Sequence, residues 1–169
     1  MLSYKKDCKK EGKAMMDFSF KKMTQAHAEE IAYTWRYEGI YSFYDMEADQ
    51  EDLNYFLDPN ERGEQFYSVF NGDDLIGFFC FTRSERRVID LGLGLRPELT
   101  GKGLGHSFLN KGLQFAQHHY NPEKVTLSVA AFNKRAIHVY KKAGFQPEQR
   151  VKQATNGGEF DFLRMSLSL

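Results

Sequence analysis

The chain has 169 residues, of which 41% are hydrophobic, 15% aromatic and 27% charged. A chain of this size buries roughly 70% of its unfolded surface, enough for one domain without staples, and the composition excludes a disordered or collagen-like polymer. Lys+Arg and Asp+Glu both total 23, so no basic excess marks a nucleic-acid partner. No apolar run approaches the ~18 residues of a membrane span, and a soluble protein is expected.

Residues 1–15 carry five lysines against Asp7 and Glu11. They contain no apolar stretch and no arginine, so they read neither as a secretory signal nor as a transit peptide. A disordered basic leader is expected there, ahead of a single domain over 16–169. Phe18 and Phe20 alternate with polar residues and predict a strand near 17–23. Thr24 can cap a helix whose apolar positions are Ala28, Ile31, Ala32 and Trp35. An aromatic stretch with Tyr37, Tyr41, Phe43 and Tyr44 follows, and Asp49 begins a second helical pattern with Leu53, Phe56 and Leu57. Residues 45–64 hold eight acids and one arginine, Arg62. They form either a solvated surface or a lure for a cationic substrate. Phe66–Phe70 and Leu75–Thr82 are strands joined by the turn Asn71-Gly72-Asp73-Asp74. Cys80, inside Phe78-Phe79-Cys80-Phe81, reads as a buried core thiol. With Cys8 it makes neither a disulfide framework nor a zinc pattern, which fits a reducing cytoplasm.

Arg87–Leu95 is the next strand, ended by Pro97. Leu104, Phe108, Leu109, Leu113 and Ala116 then form one stripe of a helix running to about His118. Val125–Val129 is a strand, and Asn133 caps a helix that stops at Gly144. Two strands, from Phe145 and over Phe160–Leu167, close the chain around Asn156-Gly157-Gly158. Strand, glycine loop, helix and strand over 87–129 make a βαβ unit, hence adjacent parallel strands with a right-handed crossover. The other pairs read as antiparallel, giving a single mixed α/β domain with a central sheet and helices on both faces.

The loop Thr100-Gly101-Lys102-Gly103-Leu104-Gly105 lets backbone N–H groups approach an anion at a helix start. A Walker loop is excluded by Arg96 and Gly103, and the dinucleotide fingerprint by His106. Among the five histidines no HExxH or other metal pattern exists, and no metal is expected.

Together with Asn133, Tyr140 and Gly144-Phe145, this loop resembles the GNAT superfamily of N-acetyltransferases, which use acetyl-coenzyme A. The first signature is Arg or Gln, two residues, Gly, one residue, then Gly or Ala. The second is an Asn heading a helix, a Tyr seven residues on, and Gly-Phe at the helix end. The resemblance covers about residues 88–145. It implies the GNAT fold, a mixed, mostly antiparallel sheet with a splayed parallel pair, here Arg87–Leu95 and Val125–Val129. It also implies that Leu93, Gly94 and Leu95 meet the pantetheine arm. Gly101, Lys102, Gly103, Leu104, Gly105 and His106 would cradle the pyrophosphate, and Asn133 would lie near the pantetheine. Tyr140 would be the general acid beside the thioester sulfur; without the family it reads as core packing. Tyr37, Tyr41 and Tyr44 would border the acceptor, a small-molecule amine or a protein N-terminus.

Two positions depart from the pattern. Thr100 replaces the usual Arg or Gln, keeping a hydroxyl but losing a charge-assisted contact. Ser128 stands where relatives carry a glutamate base. Asp90, or a water relay to an acid of 45–64, is left as proton acceptor. The reading is an acetyltransferase acting on a primary amine. Its rivals are a cofactor-binding module without transfer and an interaction domain that shares the fold.

Overall fold

The computed structural model describes residues 16–169, so the expected leader over 1–15 lies outside the described residues. Alternating phenylalanines build β1 (Phe18–Lys22), which pairs antiparallel with β2 (Phe66–Asn71). Between them lie α1 (Gln25–Thr34), α2 (Gln50–Leu57) and a single turn, α3 (Pro59–Arg62). Thr24 caps α1 as expected: its Oγ1 accepts from the His27 amide at 3.2 Å, while His27 Nδ1 accepts from the Thr24 amide. Asp49 caps α2 through the Glu51 and Asp52 amides. The sequence did not announce α3. It is anchored by Arg62, only 3% exposed, whose guanidinium donates to Phe56 O and Gln25 Oε1.

β3 (Asp74–Glu85) and β4 (Val88–Leu95) form a hairpin turning at Arg86 and Arg87. The expected boundaries shift here: β3 runs three residues past Thr82, and Arg87 sits in the turn with φ 59°. α4 (Gly105–Tyr120) crosses to β5 (Lys124–Ala130), which lies parallel to β4. α5 (Lys134–Lys142) leads into the antiparallel pair β6 (Gln146–Thr155) and β7 (Gly158–Ser168). The sheet order is β1-β2-β3-β4-β5-β7-β6, with one parallel pair among antiparallel ones.

Two cores flank this sheet. On one face Phe79, Phe81, Ile89, Leu91, Val125, Leu127 and Met165 pack beneath α4 and α5 through Phe108, Leu109, Ala116 and Ile137. On the other, Phe66, Phe70 and Phe78 meet Ala28, Ile31, Ala32, Leu53 and Phe56 of α1 and α2. Consecutive Phe78 and Phe79 thus serve opposite cores, which is why β3 reads as a continuous apolar run. Among the described residues no helix is long and apolar enough to cross a membrane. Nor do three or more His, Cys, Asp or Glu residues gather as metal ligands there.

Candidate active site

β4 and β5 pair only over Val88–Asp90 and Lys124–Thr126, and beyond those rungs they part. Each strand then leaves one edge without a neighbour, from Leu91 to Leu95 on β4 and from Leu127 to Ala130 on β5. Backbone donors and acceptors on those edges need partners. A cavity of about 960 Å³ passes through the gap. Its size suits a cofactor-class ligand.

One half of the cavity is the glycine loop and the α5 face. Gly101, Gly103, Gly105 and His106 line it, with Asn133 and Tyr140 opposite. Gly101 and Gly103 adopt φ of 70° and 79°, the left-handed region where a side chain is strained. No side chain caps α4, so its first N–H groups remain available to an anion. Of the expected cradle, Lys102 and Leu104 do not line this cavity: Lys102 borders a neighbouring one of about 760 Å³, and Leu104 caps α4 with its backbone. Leu93, Gly94 and Leu95 do line it. At Gly94 a Cβ would stand 2.3 Å from the Phe78 ring, so only glycine fits. A positive-φ loop, a bare strand and an uncapped helix suit a pyrophosphate attached to an extended arm.

Tyr140 lies two helical turns below Asn133, and its ring packs on Phe145 with centroids 6.0 Å apart. Burial, with Tyr44 nearby, pushes its phenol well above the ordinary range. The half-buried ring packs against the core, and the residue also lines the cavity. Asn133 Oδ1 accepts from the Ala136 amide at 3.0 Å and caps α5. Its Nδ2 donates to the Tyr44 hydroxyl at 3.1 Å, and burial raises the Tyr44 pKa.

The other half of the cavity opens between α2 and the tip of the β6–β7 hairpin. Asp45, Asp49, Asp52, Gln153, Thr155 and Asn156 line it. Asp49 Oδ2 accepts from the Asn156 amide at 2.8 Å and from Thr155 Oγ1 at 3.3 Å. Asn156 Nδ2 donates to Phe43 O at 2.8 Å, so the hairpin tip is latched to the aromatic stretch. The amides of Asn156, Asp52 and Glu51 and the Thr155 hydroxyl hold the Asp49 carboxyl below its usual pKa. Asp52 goes the other way: partial burial first, then the charges of Asp49 and Glu51, push it up. Part of this difference is local, since Asp49 accepts from the amides that begin α2, and part comes from the Asn156 amide more than a hundred residues away.

The expected acceptor tyrosines divide. The Tyr37 hydroxyl donates to Leu95 O at 2.8 Å, and so satisfies a carbonyl of the splayed strand. Tyr41 stacks beneath Arg135, with the guanidinium 4.1 Å from the ring centroid. Asp90, expected as the nearest base, sits on the last paired rung and does not line the cavity. Its Oδ1 accepts from Thr126 Oγ1 at 2.6 Å. The strands have not yet parted at that rung, and the half-buried carboxylate stands beside the opening without lining it. Ser128 does line it. Arg135, which the sequence reading passed over, lines both cavities.

Residues 12–145 match the acetyltransferase (GNAT) family. The spermidine N(1)-acetyltransferase of Vibrio cholerae is 33% identical over 73 residues, a segment spanning 42% of each chain. Among solved structures, a chimera of the spermidine N-acetyltransferase from Vibrio cholerae and hSSAT aligns with a TM-score of 0.68 at 20% identity. It covers 89% of this chain and 95% of that one. The Vibrio cholerae enzyme in complex with CoA and spermine aligns at 0.60 and 20% identity, with the same coverage. Those two likenesses show the fold. The family match, together with a splayed strand pair and a glycine loop at the head of α4, places this chain in the GNAT family of acetyltransferases.

Proposed function

We propose that the protein transfers an acetyl group from acetyl-coenzyme A to a primary amine of a small cationic acceptor, of the polyamine type. One observation carries this reading: a single cavity joins the glycine cradle on one side of the sheet to an acidic mouth on the other. The spermidine acetyltransferase relative supports the acceptor class.

Bound acetyl-coenzyme A supplies a thioester, an acyl group already activated toward an amine. The chain's own residues supply orientation, charge and protons. The positive-φ loop and the first N–H groups of α4 hold the pyrophosphate, and the free edge of Leu93–Leu95 aligns the arm. A backbone N–H of that edge faces the carbonyl oxygen, where negative charge develops. Asp52 attracts the ammonium at the mouth; its raised pKa suits it to receive the amine's proton through water. Tyr140 donates its hydroxyl hydrogen toward the departing sulfur. The ammonium first gives up one proton through water to become the neutral nucleophile. The N–C bond then forms as the C–S bond breaks, with a second proton lost at nitrogen and one gained at sulfur, so one proton is released overall.

Acetyl-dependent thiol release tests the reading on a panel of spermidine, spermine, a monoamine and a peptide with a free N-terminus. Turnover with the polyamines is expected to exceed the others. A preference for the peptide would refute the acceptor class. Coenzyme A binding without release from any amine would favour the module that binds without transfer.

A further inference from the structure

The first signature places a cation or amide at position 100, where this chain has Thr100. Its hydroxyl is spent within the loop, donating to Pro97 O at 2.7 Å. The loop's leading position therefore offers an incoming phosphate no side-chain donor. A cation reaches the loop from elsewhere in the chain. Arg135, in the first turn of α5, places Nη1 3.2 Å from where a Gly101 Cβ would stand. The guanidinium thus lies against a bare Cα, in space that a side chain at 101 would contest. Its plane rests on Tyr41, 4.1 Å from the ring centroid. Among the described residues no carboxylate forms an ion pair with it. A guanidinium stacked on one ring, with no carboxylate partner among the described residues, stands beside a loop of N–H groups ready to meet an anion. Its planar fork matches two phosphate oxygens at once.

We infer that Arg135 binds the pyrophosphate of coenzyme A, supplying through space the charge that position 100 lacks. Tyr41 is its positioning residue and not an acceptor contact. The inference rests on the acetyltransferase reading above.

Calorimetric titration with coenzyme A and with 3′-dephospho-coenzyme A tests it on the full chain. Arg135→Gln should weaken both ligands alike by about ten- to hundredfold, the loss expected for a charge-assisted hydrogen bond. Arg135→Lys keeps the charge without the fork and should fall between. Tyr41→Ala should give a smaller loss that disappears in an Arg135→Gln background, because the two residues act as one unit. Arg135 is exposed, so melting without ligand should stay unchanged and separate binding from folding. Equal affinities in wild type and Arg135→Gln would overturn the inference. So would a loss confined to coenzyme A, which would place the guanidinium on the 3′-phosphate. Wild-type protein that binds neither ligand would overturn the acetyltransferase reading with it.

Discussion

Removing one oxygen, Tyr140→Phe, separates the two roles this side chain carries. The ring packs on the core and on Phe145, and phenylalanine preserves that packing. No hydrogen bond accounts for the high pKa of the phenol; burial and Tyr44 do. Losing the hydroxyl should therefore cost stability less than the ~1 kcal/mol of a typical hydrogen bond. The kinetic cost is larger. An ordinary phenol near ~10 faces a thiol near ~8.5, so full proton transfer is already uphill by about 2 kcal/mol. Burial raises that further, and the hydroxyl helps mainly as a donor while the C–S bond breaks. Acid catalysis is worth about 10²–10⁴-fold, or about 2.7–5.4 kcal/mol, and the raised pKa points to the lower end. Thiol release under conditions where chemistry limits the rate should fall about a hundredfold, with coenzyme A affinity unchanged. The pH dependence has a definite sign. The folded pKa lies above the unfolded one, so the neutral phenol's contribution to stability is complete below ~10 and is lost as pH rises past that value. Tyr140→Phe should soften alkaline unfolding. More than half of wild-type turnover in that variant would refute the acid role and leave only the core role.

Three other substitutions test the rest of the site. Gly103→Val forces a β-branched residue into φ 79°, where no neighbouring atom lies within 4 Å, so the cost is backbone strain of about 1–3 kcal/mol. Coenzyme A binding by calorimetry should be lost while circular dichroism shows a folded domain. Asp52→Asn should raise KM for spermidine and remove its salt dependence, since exposed attraction is screened beyond ~8 Å at physiological ionic strength. A raised carboxyl pKa opposes folding once ionised, so this variant should melt no lower than wild type at neutral pH. Asp49→Asn weakens the latch to Thr155 and Asn156. The Asp49 pKa is lowered by the Asn156 amide, by its cap amides and by Thr155, so its stabilisation is present above the ordinary aspartate range and fades as pH falls through the folded value. Melting temperatures of the two proteins should differ at neutral pH and converge in acid.

Local signals in the sequence were enough for most elements, because each rests on a short-range cause. Thr24 and Asp49 cap helices through amides two or three residues away. Asn156 and Gly157 turn a hairpin at φ 51° and 72°, which Asn-Gly adopts readily. Tyr140 was singled out only by the family resemblance, whereas the glycine loop and the Asn133 cap were legible for the same reason, as a strand end and a helix start. Contacts between distant segments were not. Arg135 meets Gly101 and Tyr41 only because α5 packs across the head of α4. That Asp90 sits on the last paired rung, with Thr126 on its Oδ1 and off the cavity lining, follows from the pairing register and not from its place on the strand. The Asp49 carboxyl is held down partly by the Asn156 amide, more than a hundred residues later, a contact no local pattern announces. Periodicity and capping act over a few residues and are written in the chain, whereas the side chains that share a cavity are set by how the sheet splays and the helices cross it.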